Sequence, residues 1–137
     1  LISRWFFVGL LLCMSTGCYS TLRLVVESST TTNGGRPFYV VVRSVDGNTL
    51  VSESYQVVSS KVFASPRDDS ILMSRVLMPG KGVVMTIQNQ EVSDLAVYFL
   101  FSGPGDKWRL PLHQPLPSEV VVELGTFQVD KVRIRRK

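Results

Sequence analysis

Asp94-Leu95-Ala96-Val97-Tyr98-Phe99-Leu100-Phe101 is apolar at every position after the first. A strand with one face in water alternates apolar and polar residues; this one does not, so both of its faces need cover. That makes it a central strand with a layer on each side. Working outward, Ser102-Gly103-Pro104-Gly105-Asp106 is a tight turn, and Trp108-Arg109-Leu110 begins a short partner strand. Pro111, Pro115 and Pro117 keep the next connection irregular. Val120 to Leu124 and Phe127 to Ile134 read as the last two strands, divided by Gly125. Upstream, Val83 to Asn89 alternates behind the turn Met78-Pro79-Gly80-Lys81-Gly82, and Phe38 to Val45 is rich in β-branched and aromatic residues. Thr21 to Glu27 alternates as a first strand. Between Leu50 and Arg75 the period changes. Tyr55, Val58, Val62 and Phe63 recur at three- and four-residue steps behind Ser52 and Glu53 as cap-like residues, and Pro66 ends the segment. Asp68-Asp69-Ser70 reads as the start of a second short helical segment carrying Ile71, Leu72 and Val76, although Val57, Val58 and Val62 would also suit a strand. About seven strands with frequent turns and one helical insertion predict a mainly β domain, a two-sheet antiparallel β-sandwich.

The N-terminus carries a different signal. Trp5 to Met14 is an apolar run behind Arg4, about half the ~20 residues a helix needs to cross a bilayer. It closes on Ser15-Thr16-Gly17-Cys18, small residues before a cysteine. This is the pattern of a removed secretory signal, and it resembles a bacterial lipobox. Ser15 stands where such signals usually have Leu, and Leu12 is too large for cleavage before Cys13. The expectation is a cleaved signal over residues 1–17, a covalent lipid on Cys18, and a single lipid-anchored domain over residues 18–137. A buried N-terminal helix is the competing reading. Tyr19 is not Asp, which resembles signals that permit export to the outer membrane.

The remaining 120 residues (137 − 17) suffice for one domain with a core. Of two cysteines, one leaves with the signal and the other carries lipid, so no thiol is left to pair. The formal charge of +4 falls to +3 without Arg4, mildly basic and no indication of nucleic acid. Without aromatic interleaving there is no stacking platform for it either. His113 is the single histidine and sits in a Pro-rich loop, so a nitrogen–sulfur zinc site cannot form in the mature domain. No serine lies in a nucleophile-elbow pattern for it to serve. Asp68-Asp69 could bind a cation, but Asp commonly opens a helical turn, and calcium needs more oxygen ligands at loop spacing. Gly34-Gly35 and Gly103-Pro104-Gly105 lack the spacing of a phosphate cradle. The chain therefore shows no enzyme signature: no catalytic residue, no metal site, and no cofactor beyond the lipid on Cys18. Lys131-Val132-Arg133-Ile134-Arg135-Arg136-Lys137 puts the cations of 131, 133 and 135 on one face at strand spacing. It reads as a contact with anionic headgroups or an acidic partner, or, more plainly, as an edge strand guarded by its charges. Ser28 to Pro37 is the longest polar, turn-rich stretch and reads as an exposed loop, with Asn33-Gly34 able to take positive φ.

Taken in order, these pieces resemble the TssJ family, outer-membrane lipoproteins of bacterial type VI secretion systems. Asn33-Gly34-Gly35-Arg36-Pro37 followed by Val40-Val41-Val42-Arg43 resembles the family's Asn…Gly-x-Pro loop entering its second strand. Tyr55 to Phe63 resembles its aromatic-bearing helix, and Met78-Pro79-Gly80 its Leu-x-Pro-Gly turn. Leu95 to Phe99 with Trp108-Arg109 resembles its late strand pair. Ser44-Val45-Asp46 departs from the usual Tyr-Gln-Leu, so no contact is carried over there. The resemblance implies a transthyretin-like sandwich on the periplasmic face of the outer membrane. It implies binding to the periplasmic C-terminal region of a TssM-like inner-membrane protein within a multi-subunit membrane complex. The partner-binding residues carried over are Thr30, Thr31, Thr32, Asn33, Gly34, Gly35 and Arg36. A pilotin-like lipoprotein escorting an outer-membrane secretin is the alternative, with a periplasmic inhibitor behind it.

Overall fold

The computed structural model describes residues 20–89 and 93–136. The expected signal over residues 1–17 and Cys18 lie outside them. The chain folds as β1 (Ser20–Glu27), β2 (Phe38–Val45), α1 (Gly47–Ser52), α2 (Tyr55–Val62), β3 (Ile71–Leu77), β4 (Val83–Asn89), β5 (Asp94–Leu100), β6 (Arg109–Leu112), β7 (Glu119–Leu124) and β8 (Val129–Arg135). Two four-stranded sheets face each other, ordered β4-β1-β7-β8 and β3-β2-β5-β6. The mainly β sandwich with a helical insertion is thus the observed fold. Pairing is antiparallel except between β1 and β7, which run in parallel from Arg23↔Glu119 to Glu27↔Glu123.

β5 is an interior strand, and all its residues from Leu95 to Leu100 are buried. Its neighbour β2 is buried along almost its whole length, including Arg43. Side chains alternate across a sheet, so Phe38, Val40 and Val42 form one row and Tyr39, Val41 and Arg43 the other. The first row belongs to the sandwich interior with Leu22, Leu24, Val26, Val120 and Val122. The second row is covered by the helical insertion: Phe63 packs edge-on against Tyr39, and Tyr55 and Tyr98 both pack on Trp108. Arg43 places its guanidinium 5.7 Å from the Tyr98 ring centre. This second layer explains a strand without a polar face.

Several expectations are corrected. The second helical segment does not exist: Ile71 to Leu77 is β3, paired with β2 from Phe38↔Leu77 to Arg43↔Ile71. Ile71 and Val76 favour a pleated surface, and the ladder to β2 decides. Asp68 opens no helix; its Oδ1 accepts the N–H of Ser70 at 3.0 Å in a local turn before the strand. Helix N-caps are Asp46 and Ser54, which accept the N–H groups of Thr49 and Val57, not Ser52 and Glu53. Each leaves a paired donor at a helix start. The described residues hold eight strands, one more than the sequence suggests. Pro111 is part of β6, tolerated because β6 is an edge strand.

Strand directions give the sandwich two distinct ends. One carries the 28–37, 78–82, 101–108 and 125–128 connections, held together by Gly80 N–H to Ser28 Oγ (3.1 Å), Asn33 N–H to the Thr126 carbonyl (2.6 Å) and Val129 N–H to the Lys107 carbonyl (2.8 Å). The other carries the start of β1, the start of β7 and the end of β8. β1 alone spans the distance between them, ~26 Å at ~3.3 Å per residue.

Candidate partner-binding surface

The 28–37 connection is built around Asn33. Its backbone is left-handed (φ 53°, ψ 31°), as are Gly34 (φ 62°) and Gly35 (φ 78°). Asn tolerates this region better than other residues with a Cβ, and glycine adopts it without strain. The Asn33 side chain is fully buried and saturated. Nδ2 donates to the carbonyls of Arg36 (3.1 Å) and Pro37 (3.0 Å), and Oδ1 accepts the N–H of Ser102 at 2.7 Å. Thr32 is also buried, with Oγ1 accepting the Ser29 N–H at 3.0 Å. The loop is therefore folded onto the β5–β6 and β7–β8 connections rather than hanging free.

This sorts the seven candidate residues. Thr30, Thr31, Gly34, Gly35 and Arg36 are exposed at the surface. Thr32 and Asn33 are buried, which corrects the expectation of a wholly exposed stretch; their side chains shape the surface from beneath. The Gly34 position lies near the Phe127 ring, 3.7 Å from where a Cβ would stand. Phe127, half-buried, and Gly103-Pro104-Gly105 line an open cleft of about 460 Å³ beside the loop. They belong to the same surface. Sequence order could not place them there, since they lie about 70 and 90 residues downstream and reach it only through β-pairing.

A second polar group was not foreseen in its role. Glu53 accepts hydrogen bonds from Arg43 Nη1 and Lys61 Nζ, while Arg43 Nε donates to Ser70 Oγ at 3.0 Å. Burial, the largest single influence, raises the Glu53 pKa. The hydrogen bonds and charges of Arg43 and Lys61 outweigh it and hold the carboxyl below its ordinary value. Arg109 Nη1 donates to the carbonyls of Leu50 (2.8 Å) and Glu53 (3.0 Å), closing the end of α1. These cations fasten the insertion to the second sheet, so the Trp108-Arg109 pair is structural: the indole packs and the guanidinium caps.

His113 is exposed, and its Nδ1 is 2.9 Å from Asp94 Oδ2. Its hydrogen bond and the N–H of Gln114 lower the Asp94 pKa. The pair ties β5 to the following connection at a surface. Asp69 is exposed beside Asp68, whose pKa is lowered by hydrogen bonds from Ser70. Among the described residues, no group of three His, Cys, Asp or Glu is placed to hold a metal ion. Among them, too, no helix is long and apolar enough to cross a membrane. The basic segment forms β8, an edge strand as the plainer reading expects, with Lys131, Arg133 and Arg135 exposed.

Comparison with known proteins gives a consistent picture. The family model described as the IglE N-terminal domain matches residues 39–124. No curated protein matches the chain by sequence. Among solved structures, the type VI secretion lipoprotein TssJ1 from Pseudomonas aeruginosa is similar with a TM-score of 0.65 and 12% identity, over 86% of this chain and 98% of that one. Lip from Serratia marcescens, described as a membrane-bound component of the type VI secretion system, is similar with a TM-score of 0.58 and 18% identity, over 86% and 98%. A chain in the structure of the type VI protein TssM C-terminal domain from EAEC is similar with a TM-score of 0.64 and 17% identity, over 80% and 95%. None of these descriptions names a catalytic activity.

Proposed function

Because the chain belongs to the IglE N-terminal domain family, a family of type VI secretion lipoproteins, we infer that it is a tether. It holds a TssM-like inner-membrane protein to the outer membrane from the periplasmic side. It is a non-enzymatic member of a multi-subunit secretion complex. The observation that carries this reading is the pre-organised 28–37 loop. Asn33 fixes it in one shape, so Thr31, Gly34, Gly35 and Arg36 meet a partner without first losing conformational freedom. The likeness to a chain in the structure of the TssM C-terminal domain supports the choice of partner.

The anchor is the lipid on Cys18. One acyl chain binds membranes only marginally at ~0.8 kcal/mol per buried CH₂, so stable attachment takes several. Cys18→Ala should leave a folded domain that moves from the membrane to the soluble fraction. The contact is tested by measuring the affinity of the periplasmic C-terminal region of the TssM-like protein for Thr31→Ala/Arg36→Ala, two exposed positions whose loss leaves the Asn33 bonds intact. Binding roughly tenfold weaker is expected, about 1.4 kcal/mol. Equal affinity would move the contact off this loop, and no binding by the parent chain would remove the tether reading.

A further inference from the structure

We propose that the end of β8 is a contact surface for anionic phospholipid headgroups, set beside the membrane anchor. This rests on Cys18 being that anchor. Arg23 stands opposite Glu119, and Glu119 opposite Arg135, so all three lie at one level of the sheet. β8 runs against β1, so Arg136 is a step nearer the start of β1. Cys18 precedes β1 by two residues, and the chain from Cys18 to Arg23 spans at most ~17 Å at ~3.4 Å per residue. An anchored domain therefore presents this end of the sheet to the bilayer.

The cations of β8 at this end have weak carboxylate partners or none among the described residues. Glu119 is already paired with Arg23 Nη1, so Arg135, though opposite it, has no ion pair of its own among the described residues. Arg136 donates to the neutral carbonyl of Pro115 at 2.9 Å, so its charge stays uncompensated. Arg133 meets Glu27 only at 3.8 Å, with both side chains about half exposed, a pair of little strength. Ile134, on the opposite face of the strand, is 51% exposed. Arg133 and Arg135 share one face of the β8 edge, Ile134 the other, and Arg136 follows the strand. Along such an edge the fork of Arg matches phosphate oxygens, and the exposed aliphatic group can enter the boundary from its own side. Glu119 aside, the aspartates described at this end, Asp46, Asp68, Asp69 and Asp94, belong to the other sheet and its connections, ~10 Å across the sandwich. A bilayer meets the two signs on different sides, so the domain leans onto its β8 edge.

The test uses the full chain carrying Cys18→Ser, which removes the acyl anchor. Binding is compared on vesicles of phosphatidylcholine alone and of phosphatidylcholine mixed with phosphatidylglycerol. A preference for the anionic vesicles that fades with salt is expected. Arg133→Gln/Arg135→Gln/Arg136→Gln should reduce that preference on the order of a hundredfold, about fivefold per charge. No preference in the parent, or the same preference in the triple variant, overturns the proposal. Membrane fractionation of the chain with and without Cys18→Ser is read separately. If it shows no dependence on Cys18, the anchor reading fails whatever the vesicles report.

Discussion

Glu53 carries more than its place in the sequence suggests. It stands between Arg43, a guanidinium with 1% exposure, and Lys61, and pairs with both at the seam between the helical insertion and the second sheet. Removing one partner of a buried pair costs far more than the pair itself contributes, because the other charge is left in a poorly solvating site. Glu53→Gln should therefore lower stability by about 3–5 kcal/mol at neutral pH in chemical denaturation. The pH dependence has a definite sign. The Glu53 carboxyl titrates lower in the folded protein than its unfolded value of 4.5, so its contribution is present above that value and is lost as pH falls through the folded one. Below pH 4.5 the Gln variant should lose stability less steeply than the parent; identical slopes would mean that the pairing does not contribute. Arg43 and Glu53 are ten residues apart on different elements, and no periodicity couples them. Arg43 reads as a polar interruption in a run of valines, Glu53 as a cap.

Elements that bury a continuous or alternating apolar row could be read from sequence: β2, β4 and β5 begin where the pattern begins, and β5 has the double cover its lack of polar positions demands. β3 could not. Its exposed Leu72 and Val76 and its turn-forming lead Asp68-Asp69-Ser70 fit a helix start equally well, and only the ladder to β2 separates the two. The 28–37 loop was half legible. Its Asn-Gly pair predicts the left-handed turn, but polar composition also suggested full exposure, whereas Asn33 substitutes side-chain bonds for a missing ladder. Asn33→Ala would leave the Ser102 N–H and the carbonyls of Arg36 and Pro37 without their partner and would force alanine into a left-handed backbone. A loss of roughly 2–4 kcal/mol is expected by denaturation, with faster protease cleavage in the loop. A loss below about 1 kcal/mol would show that backbone contacts alone hold the loop.

At the scale of the whole molecule, the proposed partner loop and the start of β1 lie at opposite ends of one sandwich. Sites this far apart with no shared side chains behave independently. Combining Thr31→Ala/Arg36→Ala with the three β8 arginine substitutions should give losses of partner affinity and vesicle preference equal to those of each set alone. A departure beyond about threefold would reveal coupling through the sheet. The strand between the two ends has a mechanical meaning. β1 is the segment between Cys18 and the loop, so on the proposed tether a pull between membrane and partner runs along it and need not pass through the rest of the domain. It is already extended and can lengthen little. It is also clamped on both sides, by β4 and by β7, with the force parallel to the strand. The backbone of β1 carries that load, and the ladders to β4 and β7 hold the strand extended and in register. On the proposed tether, the fold thus places an interior strand, gripped on both sides, on the line of tension, and leaves the helical insertion beside it.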